Sequence, residues 1–313
     1  MDLTGAIGGV SLRTFAAHDG PAVAAIANSR SDAPVLTLDA LLHWSERPGA
    51  NRERDFVVAS RTAGKVCGYA RIYADPPFDE PIFMAGIAPG TDEPLAEILC
   101  SYAEERARDL SKAAPDGGRL LARMPVGCGI AAGLLQRRGY REERHLLLLE
   151  ADAAAVRAQL RDPPEIAIVE GDEADLPRAY ETLRASFADH WGTSWPSYAC
   201  WRHDLTGVPL IARSGSEVMG VLIVAPSFVE RGDAAQFVEL GVVPERRRDG
   251  VARALLRQGA DWTLRHGRAR ICLYMDGEST TGAKEIFGAL GFASSPRFTY
   301  WSKPVRAPLA AAG

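Results

Sequence analysis

The sequence predicts an α/β protein made of two similar halves. Apolar runs typical of buried strands alternate with helical segments along all 313 residues. The order of these segments repeats after roughly 150 residues, which indicates an internal duplication. A chain of this length usually divides into more than one domain.

The two halves share four kinds of segment in the same order. Each begins with a short strand and a helix, continues with two strands joined by a tight turn, and ends with a glycine followed by an aromatic residue. The matching segments are 10–15 and 166–170, 20–27 and 174–187, 55–73 and 209–224, and Gly139-Tyr140 and Gly291-Phe292.

The segment between the halves is rich in alanine and closes with Asp162-Pro163-Pro164, a composition typical of a linker. The sequence therefore predicts a first domain over residues 1–150, a linker over residues 151–164 and a second domain over residues 165–313.

A basic turn in the second half predicts an anion-binding site. A buried strand ends at Pro244, three arginines follow at 246–248, and a helix begins at about Val251. The first N–H groups of a helix have no partner within it, and the macrodipole adds partial positive charge there. The dipole disfavours arginine at this place by about 0.3–1 kcal/mol each. A bound phosphate explains the arrangement better than a solvated basic turn.

Two motifs of the second half resemble those of the GNAT superfamily of N-acyltransferases. The turn resembles the acyl-CoA pyrophosphate loop, Arg/Gln-x-x-Gly-x-Gly/Ala, through Arg247, Gly250 and Ala252. Downstream, Ala283 and Leu290-Gly291-Phe292 match the family signature Asn-x-x-Ala-x-x-x-Tyr-x-x-x-Gly-Phe. The whole chain is similar in layout to tandem GNAT proteins such as mycothiol synthase and acetyltransferases of antibiotic pathways. The resemblance implies that each domain is a mixed, mostly antiparallel sheet flanked by helices.

The resemblance also implies an activity. The second domain would take acetyl-CoA or another acyl-CoA and transfer its acyl group to a small-molecule amine, by direct attack of the amine on the thioester. Two departures from the family pattern are Thr280 in place of asparagine and Phe287 in place of tyrosine. The residues implied to bind the donor are Leu240, Val242, Arg247, Arg248, Asp249, Gly250, Val251, Ala252, Arg253, Thr280 and Phe287.

Glu239 is the candidate general base. A carboxylate within an apolar strand is costly to bury without a partner, so it should face a cleft or be paired. Family members often carry a base carboxylate on this strand. An outward or salt-bridged glutamate is an equal alternative, and Gln236 is near enough to order a water in its place.

The general acid is left open, because Phe287 has no proton to donate. Tyr274, Ser279 and Tyr300 are the possible substitutes, and Tyr274 is taken as the candidate.

The segment 186–201 contains three tryptophans, a tyrosine and His190, and it falls where the family forms its acceptor wall. We take His190 as a third catalytic candidate, although an aromatic domain interface explains the segment equally well. A metal site is not predicted, because His190, Cys200 and His203 lack a fourth ligand and a closed spacing.

The corresponding turn of the first half, residues 87–96, keeps the strand and proline but carries Asp92, Glu93 and Pro94. Two carboxylates would repel a pyrophosphate, and proline removes one donor N–H. The first domain is therefore predicted to be a degenerate, non-catalytic copy.

Composition excludes several other classes of function. A net charge of −4 provides no basic footprint for nucleic acid, and no apolar run reaches the ~20 residues that span a bilayer. The N-terminus lacks the pattern of a signal peptide. Five scattered cysteines, Cys67, Cys100, Cys128, Cys200 and Cys272, indicate free thiols in a reducing cytoplasm.

Three alternative functions stay open at this point. The donor could be a phosphopantetheine thioester on an acyl carrier protein in natural-product biosynthesis. The changes at Thr280 and Phe287 would also suit a non-catalytic acyl-CoA-binding module. Transfer from tRNA is disfavoured, because tRNA-dependent relatives generally lack an intact pyrophosphate loop.

Overall fold

The computed structural model describes residues 9–29, 36–61, 64–75, 78–91, 93–113, 118–125, 130–161, 165–192 and 195–305. These residues form two compact units. The N-terminal unit contains the described residues up to His145 together with those from Phe298 onward, and the C-terminal unit contains Leu146–Arg297.

Strands and helices alternate along the chain, as the sequence predicts. The first half contains β1 (Val10–Thr14), α1 (Gly20–Asn28), α2 (Leu38–Ser45), β2 (Phe56–Arg61), β3 (Val66–Tyr73), β4 (Ile82–Ile87), α3 (Glu93–Leu110), β5 (Arg119–Pro125) and α4 (Ala132–Arg137). The second half contains β6 (Arg141–Asp152), α5 (Ala153–Gln159), β7 (Ala167–Glu170), α6 (Leu176–Ser186), α7 (Tyr198–Asp204), β8 (Val208–Ser214), β9 (Glu217–Ala225), β10 (Ala234–Val242), α8 (Val251–Arg265), β11 (Arg270–Asp276), α9 (Ala283–Ala289) and β12 (Ala293–Pro304).

The N-terminal unit has a mixed sheet in the order β1-β2-β3-β4-β5, completed by the last residues of β12. All neighbouring strands are antiparallel except β4 and β5. One face is covered by α3, through residues such as Leu95 and Leu99, and the other by α1 and α2, through Val23 and Leu41.

The C-terminal unit repeats this plan in the order β11-β10-β9-β8-β7, with the end of β6 beside β11. Only β10 and β11 run parallel among these described strands. Helices α5, α8 and α9 cover one face of the sheet, and α6 and α7 cover the other. The predicted fold class, two mixed and mostly antiparallel sheets flanked by helices, is confirmed.

The boundaries of the units differ from the predicted domains. The alanine-rich segment 151–161 is the end of β6 followed by α5, and Val156 and Leu160 belong to the core of the C-terminal unit. Alanine is the best helix former, and Asp152 caps the helix by accepting from the N–H of Ala155 at 2.8 Å. The linker prediction is therefore wrong for the described part, and Asp162-Pro163-Pro164 lies outside it.

The end of the chain is the second difference. Residues Phe298–Pro304 pair with β5, so they complete the N-terminal sheet and do not belong to a second domain that runs to residue 313. The second half of the sequence thus supplies a strand to the unit of the first half. A repeat in the sequence does not reveal this arrangement, because strand pairing depends on tertiary contacts.

The predicted glycine–aromatic ends are found in both units. Gly139 and Gly291 have φ angles of 84° and 78°, the left-handed conformation that ends a helix, and the following Tyr140 and Phe292 are buried. The four cysteines that the structure describes are buried free thiols, and Cys128 lies outside the described residues. None of the described helices combines the length and apolar character that crossing a membrane requires.

Candidate active site

Strands β10 and β11 separate in the middle of the C-terminal sheet. They pair only from Ala234 opposite Arg270 to Gln236 opposite Cys272, although β10 continues to Val242 and β11 to Asp276. On its other edge β10 stays paired with β9 as far as Val242. Beyond Gln236, the backbone groups on the edge of β10 that faces β11 therefore have no partner in the sheet. These groups can bind a ligand.

A β-bulge lies where the strands separate. The register with β9 shifts between Phe237 and Glu239, so that Val238 is the extra residue. Because side chains alternate along a strand, one extra residue moves the following side chains to the opposite face. Phe237 packs in the core beneath α8, whereas Glu239 points toward α7 on the other face.

Glu239 is held by a tryptophan. Its Oε2 accepts a hydrogen bond of 2.9 Å from Nε1 of Trp201 on α7, and Trp201 is only 3% exposed. The indole is braced by the rings of Tyr180 and Tyr198, at 5.6 Å and 6.0 Å.

Removal from water raises the pKa of Glu239 from 4.5 to about 7. The hydrogen bond from Trp201 opposes this rise, and the charge of Asp204 adds to it. A carboxyl whose pKa lies near neutrality has the proton affinity that a general base needs.

The anion site predicted after β10 has the necessary free donors. A 3-10 turn, Pro244–Arg246, leads to α8, and Arg248 and Gly250 adopt left-handed φ angles of 72° and 85°. Within the described chain, the N–H groups of residues 248–253 donate to no protein acceptor. Successive N–H groups in such a turn form a concave anion-binding nest at the positive end of the helix.

The arginines of this loop are partly compensated by carboxylates. Arg247 donates to both oxygens of Asp189 at 2.6 Å and 2.9 Å, and also to the carbonyl of Ser186. Arg246 forms a two-fold contact with Glu217, at 3.0 Å and 2.5 Å. Arg246 and Arg247 thus already have carboxylate partners, so a bound phosphate is not needed to explain them and the sequence argument is too strong. Of the three arginines, only the exposed Arg248 still supports that argument in full.

His190 lies beside the Arg247–Asp189 ion pair. Its ring packs edge-on against Phe187 at 4.7 Å, and Phe187 stacks on Trp195 at 5.1 Å. Burial lowers the pKa of His190, and the charge of Asp189 opposes this shift, so burial favours the neutral ring. Ion pairing with Arg247 lowers the pKa of Asp189 to about 2.

Tyr274 is engaged elsewhere. Its hydroxyl donates to Oε1 of the buried Glu230 at 2.5 Å, and Arg297 forms an ion pair of 2.7 Å with the other oxygen of that carboxylate. The ring packs against Phe228 at 5.7 Å. Tyr274 therefore has a structural network of its own, and its predicted role as an acid stays a prediction.

The remaining predicted residues lie in four places. Leu240 and Val242 lie on the separated part of β10 and are half-buried against the core. Phe287 is 5% exposed and packs against Phe292 at 5.1 Å, so its ring is a core residue of α9. Thr280 is exposed in the loop after β11, beside the hydrogen-bonded pair Ser279 and Thr281. Tyr300, an alternative acid, belongs to the N-terminal unit.

The structure thus places Glu239 at the bulge of β10, the strand that leads into the loop with the free N–H groups, and it adds a residue that sequence reasoning missed. Trp201 belongs to the aromatic segment singled out in the sequence, but nothing there indicated that its indole binds Glu239, 38 residues away.

Known proteins share both the motifs and this architecture. Residues 176–292 match the family model of the acetyltransferase (GNAT) family. The C-terminal unit therefore contains a GNAT domain. This domain gives the protein the N-acyltransferase class that the sequence predicts.

Solved structures match almost the whole length of the chain. A GCN5-related N-acetyltransferase from Sphaerobacter thermophilus has 19% identity and a TM-score of 0.75, over 97% of this chain and 98% of that one. A tandem GNAT protein from the clavulanic acid biosynthesis pathway has 15% identity and a TM-score of 0.68, over 95% and 99%. At such identities the likeness shows the fold alone. No curated protein sequence has significant similarity to the chain.

Proposed function

We propose that the C-terminal unit of this GNAT protein transfers an acyl group from an acyl-CoA, with acetyl-CoA the first candidate, to a small-molecule amine. The observation that carries the proposal is the position of Glu239. This carboxyl, with a pKa of about 7, lies at the bulge where β10 leaves β11, on the strand that leads directly into the nest of free N–H groups.

Two features support an acyl-CoA donor. The N–H groups of residues 248–253 and the exposed Arg248 suit the oxygens of a pyrophosphate, and Arg247 can exchange Asp189 for a phosphate. The open edge of β10 at Leu240 and Val242 offers backbone donors that can polarise a thioester carbonyl. Gly241 is explained by packing, because a Cβ there would lie 2.8 Å from the Cβ of Ser186 on α6.

The proposed reaction needs one proton acceptor before attack. The amine arrives as an ammonium ion, and Glu239 takes its proton, directly or through a water near Gln236. The neutral nitrogen attacks the thioester carbon, and the tetrahedral intermediate collapses as the C–S bond breaks. The sulfur leaves as a thiolate, which is tolerable because thiols ionise at about pH 8.5 in water. The second proton, lost by the nitrogen as the amide forms, passes to this thiolate directly or through water, so the products are the amide and the free thiol of CoA. The reaction therefore does not depend on a tyrosine at position 287.

The number of donor sites and their chemistry can be tested together. Calorimetric titration of the full chain with acetyl-CoA should give one site per chain, and a thiol reagent should detect CoA release with amines from a panel. Replacing both Arg247 and Arg248 by Gln should weaken acetyl-CoA binding by more than tenfold, because each charge-assisted contact contributes ~1.5–3 kcal/mol. Arg246→Gln is the matched control, since this side chain is held by Glu217.

Several results would contradict the proposal. Unchanged affinity in the double variant would remove the pyrophosphate assignment, and two sites per chain would remove the assignment to one unit. Turnover with an acyl carrier protein but not with acyl-CoA would identify the carrier as the donor. Tight binding of acetyl-CoA without turnover of any amine would favour a binding module.

A further inference from the structure

Arg247 connects the loop before α8 to the end of another helix, α6. Its guanidinium donates to both carboxylate oxygens of Asp189, at 2.6 Å and 2.9 Å, and to the carbonyl oxygen of Ser186 at 2.9 Å. Ser186 is the last residue of α6, and Asp189 lies in the turn that follows it. The last carbonyl groups of a helix have no partner within it and carry partial negative charge, so a cation is favourable there. The side chain of Arg247 is therefore bound to α6 at three points.

This end of α6 lies on the same face of the sheet as Glu239. A Cβ placed on Gly241 would lie 2.8 Å from the Cβ of Ser186. Gly241 comes two residues after Glu239 on β10, and the pairing with β9 has no shift between them, so both residues face the same side. Trp201 reaches Glu239 from this side too. Arg247 thus connects the proposed donor loop with the face on which the proposed base lies.

The residues around Asp189 pack closely on one another. The N–H of His190 donates to the carbonyl of Phe187 at 3.0 Å, and their rings meet edge to face at 4.7 Å. Phe187 in turn stacks on Trp195 at 5.1 Å. Since Asp189 lies between Phe187 and His190 in the chain, the ion pair with Arg247 fixes the position of this aromatic turn.

A pyrophosphate and the end of α6 compete for the same N–H groups of Arg247. A guanidinium can bind an anion bidentately along either of two edges, and both edges include the nitrogen Nη2. In this protein Nη2 donates to both Asp189 and Ser186, and Nη1 donates to Asp189 as well. A phosphate can therefore bind Arg247 bidentately only by displacing one of these acceptors.

Asp189 is the acceptor that is easier to displace. Its carboxylate is 54% exposed, whereas Ser186 is buried. An exposed ion pair is weakened by solvent and salt, and a pyrophosphate carries more charge than a single carboxylate. The donor would win this competition, and its affinity would be reduced by the strength of the ion pair it replaces.

We propose that Asp189 is a positioning residue of the donor site, which holds Arg247 on α6 and gives it up to the pyrophosphate of the acyl-CoA. Donor binding then frees the turn of Phe187 and His190 on the face where the acceptor meets Glu239, and this coupling between the two sites is reciprocal. The inference rests on the proposed function. Asp189 acts only through Arg247 and touches neither substrate.

A double-mutant cycle on the full chain tests this role, with calorimetric titration of acetyl-CoA as the measurement. Asp189→Asn should tighten acetyl-CoA binding by about two- to fivefold, because an exposed ion pair contributes roughly that much. In the Arg247→Gln background the same change should have no effect, since the competition needs both partners. Asp189→Glu should restore the affinity of the unmodified protein, because a glutamate can also pair with Arg247.

Glu245→Gln is the matched control for the loss of one negative charge. Glu245 lies in the same loop and acts on Arg247 through its charge, and the described structure shows no hydrogen bond between the two side chains. This variant should change the affinity by less than about 1.5-fold at about 0.15 M salt, where exposed charges are screened.

The release of the turn has a spectroscopic readout of its own. The imidazole NMR signals of His190, identified by their loss in His190→Gln, should move when acetyl-CoA is added. In Arg247→Gln these signals should already be displaced, and acetyl-CoA should move them much less.

Four results would overturn this inference and leave the proposed function intact. They are an unchanged or weaker affinity in Asp189→Asn, an equal gain in Glu245→Gln, a gain that persists in the Arg247→Gln background, and His190 signals that do not respond to bound acetyl-CoA. Failure of both the unmodified protein and Asp189→Asn to bind acetyl-CoA would instead remove the proposed function, and this inference with it.

Discussion

The two units differ most at the corner where a strand ends at a proline and a helix follows. In the C-terminal unit, β10 has a bulge and the loop after Pro244 leaves the N–H groups of residues 248–253 free. In the N-terminal unit, β4 pairs with β3 without interruption from Ile82 to Ile87, and the turn after Pro89 closes on itself through the N–H of Thr91 and the carbonyl of Ala88, at 3.1 Å.

The side chains at these two strand-to-helix turns differ as well. Five residues before the proline, the N-terminal unit has the buried Met84 where the C-terminal unit has Glu239. Helix α3 begins with Glu93, which pairs with Arg137 and suits the helix dipole. The two units thus share a scaffold that their cores hold, while the proposed binding of a phosphate and acceptance of a proton depend on a few residues where the strand meets the helix.

The largest expected effect concerns the base. Glu239→Gln keeps the size and hydrogen bonding of the side chain but removes the proton acceptor, so kcat should fall by ~10²–10⁴. In the unmodified protein the rate should rise with pH through about 7, because Glu239 acts only when it is ionised. The variant's deficit should shrink at high pH, where more of the amine is already neutral. Steady-state rates from pH 5 to 9 check this, and a rate within a fewfold of the unmodified protein would show that Glu239 is structural.

A matched pair of glycines tests the comparison itself. Gly250 and Gly90 have φ angles of 85° and 77°, and at either position a Cβ would meet no atom within 4 Å. Tryptophan at either place should cost a similar ~1–2 kcal/mol of stability, since both are left-handed. Only Gly250→Trp should weaken acetyl-CoA binding, by at least tenfold, because its ring fills the nest. Calorimetric titration of both variants distinguishes them, and an equal loss in Gly90→Trp would mean that the N-terminal turn also binds the donor.

Trp201 should act through Glu239. Its indole N–H stabilises the carboxylate form, so Trp201→Phe should move the midpoint of the pH–rate profile upward by about one pH unit. The rate should recover at high pH, whereas a merely structural defect would lower the rate at every pH. Tyr198→Phe is the control, since it keeps the neighbouring ring and does not touch the bond to Glu239.

The smallest effect is on stability. Because the pKa of Glu239 is raised from 4.5 to about 7, the folded protein binds more protons than the unfolded chain between these values. The free energy of unfolding therefore falls as the pH rises through this window. Glu239→Gln avoids this loss, because its amide does not titrate. The change in the free energy of unfolding caused by the substitution should therefore be more favourable by about 1–3 kcal/mol at pH 8 than at pH 5. Thermal melts at the two pH values check the difference, and a gain of equal size at both would contradict the burial of the charge.

Features that depend on contiguous residues could be predicted from the sequence alone. The repeat, the strand–loop–helix corner at Arg247 and Gly250, and the glycine that ends α9 follow from hydrophobic patterning and backbone conformation, which depend on near neighbours in the chain. Glu239 was identified for the same reason, because a carboxylate in an apolar strand is conspicuous without any tertiary information.

Only the tertiary structure decided which groups meet across the chain. The bond from Trp201 to Glu239 and the ion pair of Arg247 with Asp189 join residues 38 and 58 positions apart, and the last strand pairs with β5 of the other half. Tyr274 is likewise bound to Glu230, 44 residues before it. Such contacts arise when helices pack on a sheet, and no local sequence pattern specifies how they pack. The hydrogen-bond partners, the pKa values and the unit boundaries of this protein therefore follow from its fold.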